Sequence, residues 1–124
     1  MHSEAQRLFD HGLQAYQRGD LVPAIAAFTQ ARDLAPDAAD IHFKLGMALF
    51  NAGRASEALT AFQRTLALDP QRTQALHNIG AVFQHLGQSD LARKTFAAVL
   101  AREPTNEMAW IGLADTHRSR GEVA

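Results

Sequence analysis

Apolar residues recur along this chain at steps of three and four, with charged and amide residues between them. That spacing lines one face of an α-helix. Ile41, Leu45, Ala48, Leu49 and Ala52 form one such stripe, and Ala55, Ala58, Leu59, Phe62 and Leu66 form another. Asn51-Ala52-Gly53-Arg54 separates them, and Gly53 suits the left-handed residue that closes a helix. The second stripe ends at Leu68-Asp69-Pro70, because the residue before proline avoids helical angles. The same grammar runs through the chain and predicts helices at about 4–18, 21–34, 38–52, 55–68, 72–86, 89–102 and 106–120. Gly19-Asp20 and Gly87-Gln88-Ser89-Asp90 read as turns that offer capping oxygens to the next helix. Pro23 falls in a first helical turn, where its missing N–H costs little. No alternating run of β-branched residues bounded by turn signals occurs, so no strand is expected.

The stripes keep a longer beat as well. Pro36, Pro70 and Pro104 stand 34 residues apart, and so do Gly12, Gly46 and Gly80. Gly19, Gly53, Gly87 and Gly121 share the interval, as do Ala24, Ala58 and Ala92, and Phe28, Phe62 and Phe96. A period of this length marks stacked supersecondary units. Each unit is a pair of antiparallel helices, neither of which can bury its stripe alone, and stacking the pairs closes a continuous core. Gly12, Gly46 and Gly80 fall in mid-helix, where glycine costs ~1 kcal/mol against alanine. A cost repeated at each unit implies close approach of a neighbouring helix. Ala24, Ala58 and Ala92 do the same for the partner helix, with Phe28, Phe62 and Phe96 filling the gap between repeats. These residues are structural.

Composition narrows the function. The hydrophobic content of 47% over 124 residues is ample for one domain with a core. A net charge of −1 from 12 bases and 13 acids argues against a nucleic-acid partner, which calls for a basic excess. The absence of cysteine removes disulfides, thiolate metal sites and cysteine nucleophiles together. The apolar stretches fall far short of the ~20 residues of a membrane helix, so no membrane insertion is expected. Met1-His2-Ser3-Glu4 lacks a cationic region followed by an apolar run, so no signal peptide is read. Ten of the twelve bases are arginine, and the expectation is a bacterial, cytoplasmic protein.

Catalytic chemistry finds no foothold. None of His2, His11, His42, His77, His85 and His117 stands three or four residues from another, the spacing that puts two ligands on one helical face. His77 and His85 are about 12 Å apart along a helix axis, too far for one ion. Every glycine is read as part of the repeat, so no phosphate-cradling loop is expected. Ser3, Ser56, Ser89 and Ser119 sit mostly at helix ends, where capping explains them, as it does Asp37 and Asp40 at an inter-repeat turn. The expectation is a non-enzyme with no cofactor and no metal.

The periodic residues resemble the tetratricopeptide repeat, whose signature is W-x-x-L-G-x-x-Y, then A-x-x-x-F, then P, over 34 residues. Leu45-Gly46-x-x-Leu49 and Ile79-Gly80-x-x-Phe83 match its first half. Ala24-x-x-x-Phe28, Ala58-x-x-x-Phe62 and Ala92-x-x-x-Phe96 match its second half, each followed eight residues later by Pro36, Pro70 or Pro104. A further unit opens with Trp110-x-x-Leu113 and has Ala114 in place of the glycine. The chain departs at His11, where the family favours leucine, and at His42 and Leu76, where it favours tryptophan or another large residue. The resemblance covers about 5 to 121 and implies an all-α, right-handed solenoid of antiparallel helix pairs in a single domain. Its repeats fall at about 5–38, 39–72 and 73–106, followed by one extra, capping helix at 107–121 that ends in polar residues as far as Arg120.

In that family the first helices of successive repeats line a concave groove that receives peptides or helices of other proteins. Alignment assigns Phe9, Leu13 and Tyr16 to the groove from the first unit, beside Gln6, Asp10 and Gln17. The second unit supplies Phe43, Lys44, Met47, Phe50 and Asn51, beside Asp40, and the third supplies His77, Asn78, Gln84 and His85, beside Gln74 and Ala81. Met108, Ile111, Asp115 and Arg118 extend the face. Its large residues in the first two units are expected to form an exposed apolar patch of the kind that marks an interaction surface; the competing reading sends several of these aromatics into the core between helices. The third unit offers hydrogen bonds, and Asn78 matches the family's groove asparagine. The family's clamp for acidic chaperone tails uses two lysines, an arginine and two asparagines. The aligned places hold Phe9, Leu13, Lys44, Gln74 and Asn78, of which only Asn78 is of a required type, so an acidic-tail role is not expected. The resemblance therefore implies a scaffold that binds a peptide or helix of another protein. Two alternatives are a unit that assembles with copies of itself into oligomers or filaments, and a small secretion or pilus-assembly chaperone.

Overall fold

The computed structural model describes residues 3–119, and these are all-α, with seven helices and no strand among them. They are α1 (Glu4–Gln17), α2 (Leu21–Leu34), α3 (Ala39–Asn51), α4 (Ala55–Leu68), α5 (Thr73–His85), α6 (Ser89–Arg102) and α7 (Glu107–Ser119). Each falls within one residue of its sequence-based expectation at both ends. His2, Arg120 and Gly121 lie outside the described residues.

The chain divides into two compact units, one ending at Asp69 and one beginning at Pro70. In the first, α1 packs on α2 and α3 on α4, while α3 also packs on α2 and touches α1. Ala24, Phe28, Ala31, Ala48, Ala58 and Phe62 are almost wholly buried there. In the second, α6 packs between α5 and α7. Its core of Ala92, Phe96, Val99 and Ala109 is flanked by Leu76, Phe83, Leu100 and Leu113.

The mid-helix glycines serve the close approach that their recurrence implies. A Cβ at Gly12, Gly46 or Gly80 would lie 2.6, 2.7 or 2.8 Å from the nearest ring atom of Phe28, Phe62 or Phe96. Each phenylalanine thus fills the gap inside its own hairpin, and Phe96 fills the gap to the following repeat as well. Gly112, which has no place in the 34-residue register, does the same service: its Cβ would sit 2.6 Å from Phe96. Phe96 is therefore met by a glycine on α5 and another on α7.

The first helix of each hairpin closes in the same manner. Gly53 adopts a φ of 81°, its N–H donates to the Phe50 carbonyl, and the Arg54 N–H reaches back to the Leu49 carbonyl at 2.8 Å. That pair of bonds is the Schellman arrangement, which satisfies the orphan carbonyls of the last turn. Gly19 and Gly87 repeat it. Two helix starts, those of α2 and α3, differ from the sequence expectation. Asp20 makes no capping bond and accepts from Arg18 Nε instead, while Asp37 pairs with Arg64. Ser3 does cap α1, accepting from the Gln6 N–H, and Asn106 caps α7, accepting from the Ala109 N–H.

The carbonyls of the three periodic prolines each find a donor, and the donors differ. His42 Nε2 lies 2.8 Å from the Pro36 oxygen, and Trp110 Nε1 donates to the Pro104 oxygen at 2.9 Å. Both rings stand six residues beyond their proline. Leu76, at the same place in the third repeat, has no donor, and Arg102 reaches back from the end of α6 to the Pro70 oxygen at 2.9 Å.

Candidate functional site

Two helices, α1 and α3, form the candidate face in the first unit. They carry Phe9, Leu13 and Tyr16, and Phe43, Lys44, Met47, Phe50 and Asn51. Helical spacing puts each set on one side of its helix. The side turned from it is occupied by Ala15, Leu45, Ala48 and Leu49, which are buried, while Gly12 and Gly46 flank the face and meet Phe28 and Phe62 of the second helices. The candidate residues are thus what remains of each first helix once its core stripe is used.

Their depth differs from the expectation of an exposed patch. Phe43 is only 8% exposed, and its ring lies 6.0 Å from that of Phe62, tilted by 59°. Phe9 leans on Phe28 in the same way, at 5.7 Å. The physical reason lies in the glycine one turn further on: it draws the second-helix phenylalanine so close that the preceding aromatic finds a ring to pack against. Phe43 is a core residue with one edge at the surface. Phe9, Leu13, Tyr16, Met47 and Phe50 are half-buried. Each presents part of its apolar surface to water while the rest is held by the hairpin.

Polar groups frame this face. Asn51 Nδ2 donates to Tyr16 Oη at 2.8 Å, joining the ends of α3 and α1. These two are 35 residues apart in the chain and were assigned to the face separately. Lys44 Nζ stands 5.8 Å from the centre of the Phe43 ring, a distance suited to cation–π attraction. Gln6 Nε2 donates to Asp10 at 2.9 Å. A hollow of about 190 Å³, bordered by Gln6, Phe9, Asp40 and Ile41, opens where α1 and α3 begin.

In the second unit, His77 occupies the place held by Phe9 and Phe43, and its ring lies 5.5 Å from that of Phe96. Asn78 and Gln84 are half-buried and His85 is exposed. On α7, Met108 and Ile111 are largely open to water, and Arg118 Nη1 approaches Asp115 at 3.4 Å.

A second concavity lies on another face of α3 and was not read from the sequence. It is a cleft of about 600 Å³ between α2 and α4. His42, Leu45 and Leu49 make its floor, and Arg32, Thr60 and Arg64 stand on its walls. No sequence signal announces a missing volume, although the departure at His42 from a larger residue marks the place. Among the described residues there is no group of three His, Asp or Glu side chains placed to hold a metal, and no helix long and apolar enough to cross a membrane.

Comparison with known proteins agrees with this architecture. The first tetratricopeptide domain of Spaghetti (RPAP3), bound to the HSP90 peptide SRMEEVD, is 24% identical with a TM-score of 0.89, and the match covers 96% of this chain and 94% of that one. The second such domain of human RPAP3, in complex with the HSP70 peptide SGPTIEEVD, is 24% identical with a TM-score of 0.85, over 91% and 94% of the two chains. MamA from Desulfovibrio magneticus RS-1 gives 24% identity and a TM-score of 0.89, over 97% of this chain and 68% of that one. No curated protein matches. The family description of the tetratricopeptide repeat matches residues 9–73 and 79–124. With glycine, alanine, phenylalanine and proline in that family's register and the helix pairs that they close, the chain belongs to the tetratricopeptide repeat family.

Proposed function

We propose that this protein is a protein–protein interaction scaffold that holds a peptide or helix of another protein against the α1/α3 face, and that it carries out no catalysis itself. The observation that carries this reading is the state of Leu13, Tyr16, Met47 and Phe50. They are large side chains held half-buried on one face, with Asn51 bonded to Tyr16 across it. Side chains fixed by their own hairpin give up little rotamer entropy when a partner covers the remainder. Two similar domains are solved with bound peptides, which supports the same use here. Those peptides are acidic. This face offers Lys44 as its one lysine or arginine between two apolar helices, so the partner segment is mainly apolar, with at most one carboxylate set against Lys44.

The test uses the double variant Leu13→Ser, Met47→Ser, which spares the buried Phe43. Affinity capture from the native host with wild-type and variant protein, followed by cross-linking, maps where a captured partner lies. Retained helicity with loss of the wild-type partner, cross-linked to α1 and α3, supports the reading. A partner held equally by the variant, or cross-linked to α2 and α4, sinks it.

A further inference from the structure

We propose that the partner segment on the α1/α3 face runs in extended form, and that Tyr16 and Asn51 together read the main chain of one of its residues. This rests on the use proposed above for that face and names the conformation of what it holds. Asn51 Nδ2 donates to Tyr16 Oη at 2.8 Å. A tyrosine hydroxyl both donates and accepts, and an asparagine amide carries an acceptor as well as its donors. The bond therefore uses the Tyr16 oxygen and one Asn51 N–H. It leaves the Tyr16 O–H to donate and Asn51 Oδ1 to accept. Among the described residues neither side chain is bonded to any other group. Asn51 is exposed and Tyr16 is half-buried, so both groups meet water until the face is covered.

Covering the pair removes that water, and a polar group that then lacks a bond is costly. The segment above it must bring one acceptor and one donor to the same place. A residue in an extended strand does so, because its N–H and C=O point to the same side. A helix does not: its interior amides are bonded to one another, its first turn frees only N–H groups and its last turn only C=O groups. Leu13 stands three residues before Tyr16, and Met47 four before Asn51, one turn back on each helix. They set apolar surface beside the polar pair. That arrangement suits a strand whose main chain is held while its alternate side chains rest on apolar ground. The bond also fixes both groups before binding, since α1 holds one end of it and α3 the other, so little rotamer freedom is lost when the segment arrives.

The probe is a library of heptapeptides, acetylated and amidated at their ends, with one glutamate among apolar residues. It is screened against the full chain, and the tightest binder whose affinity falls with the double variant Leu13→Ser, Met47→Ser is kept. Each backbone amide of that peptide is then replaced in turn by an ester, which removes one N–H and keeps the side chain. One ester position is expected to weaken binding to wild type about tenfold, and to weaken binding to Asn51→Leu less than about twofold. Tyr16→Phe is expected to weaken the parent peptide by a similar factor, with circular dichroism unchanged. If the Tyr16–Asn51 bond only braces the helices, Asn51→Leu lowers the affinity of amide and ester forms alike at every position, which sinks the proposal. A library with no binder that depends on Leu13 and Met47 overturns it together with the reading of the face. A dependent binder that tolerates every ester, folds into a helix when bound, or answers Asn51 through an asparagine or glutamine side chain overturns this proposal alone and leaves the use of the face standing.

Discussion

Gly46 stands where an alanine Cβ would come within 2.7 Å of the Phe62 ring. Phe62 is 1% exposed and has no open space to swing into. Alanine gains ~1 kcal/mol of helix propensity at such a position, whereas overpacking a core costs ~1–3 kcal/mol. The second effect wins when the obstructing group is a locked ring. We expect Gly46→Ala to lower stability by about 1 kcal/mol, read as a shifted denaturation midpoint. A higher midpoint would mean that the ring yields and that the glycine is not there for space.

At the scale of helices, the joints between repeats are built by carbonyls of proline-ended segments finding donors. His42 and Trp110 supply ring nitrogens, and where Leu76 cannot, Arg102 comes from the next helix. His42→Phe keeps a ring and removes the bond, and it is expected to cost about 1 kcal/mol by denaturant titration. The start of α4 shows an electrostatic version. Glu57 accepts two bonds from Arg54, at 3.0 and 2.6 Å. The hydrogen bond from Arg54 holds the Glu57 carboxyl below its ordinary range. A carboxyl lowered in the folded state adds stability above its ordinary titration near ~4.3, and that contribution is lost as pH falls through the folded value. The pair stands at the surface, with side chains 48% and 58% exposed, so the contribution is small. Glu57→Gln should lower the thermal midpoint slightly at pH 7 and leave it equal to wild type near pH 2.5. A gap that persists in acid would assign the effect to helix capping and not to the charge.

For the whole chain, the helices and their pairing were legible because three- and four-residue steps and a 34-residue beat are written in residue types. The groove assignments were less so. Register says which way Phe43 points, but its burial follows from how near Gly46 lets Phe62 come, a distance that no spacing encodes. Gly112 was missed because it obeys no period, and the cleft because it is an absence. The bond from Asn51 to Tyr16 links two residues that register assigned to one face without pairing them. The same local logic governs how stability is distributed. In stacked hairpins each element leans on its neighbours alone, so stability is a sum of unit and interface terms. A strain introduced at Gly46 sits inside the α3/α4 hairpin of the unit that ends at Asp69. Hydrogen exchange followed by mass spectrometry should therefore show Gly46→Ala speeding exchange in α3 and α4 first, and in α1 and α2 through the α2/α3 contact. The backbone of α6 and α7, whose core of Phe96, Val99 and Ala109 does not include the mutated site, should keep most of its protection. Equal acceleration across all seven helices would show one global unfolding event, and would replace the picture of separable hairpins with a single cooperative core.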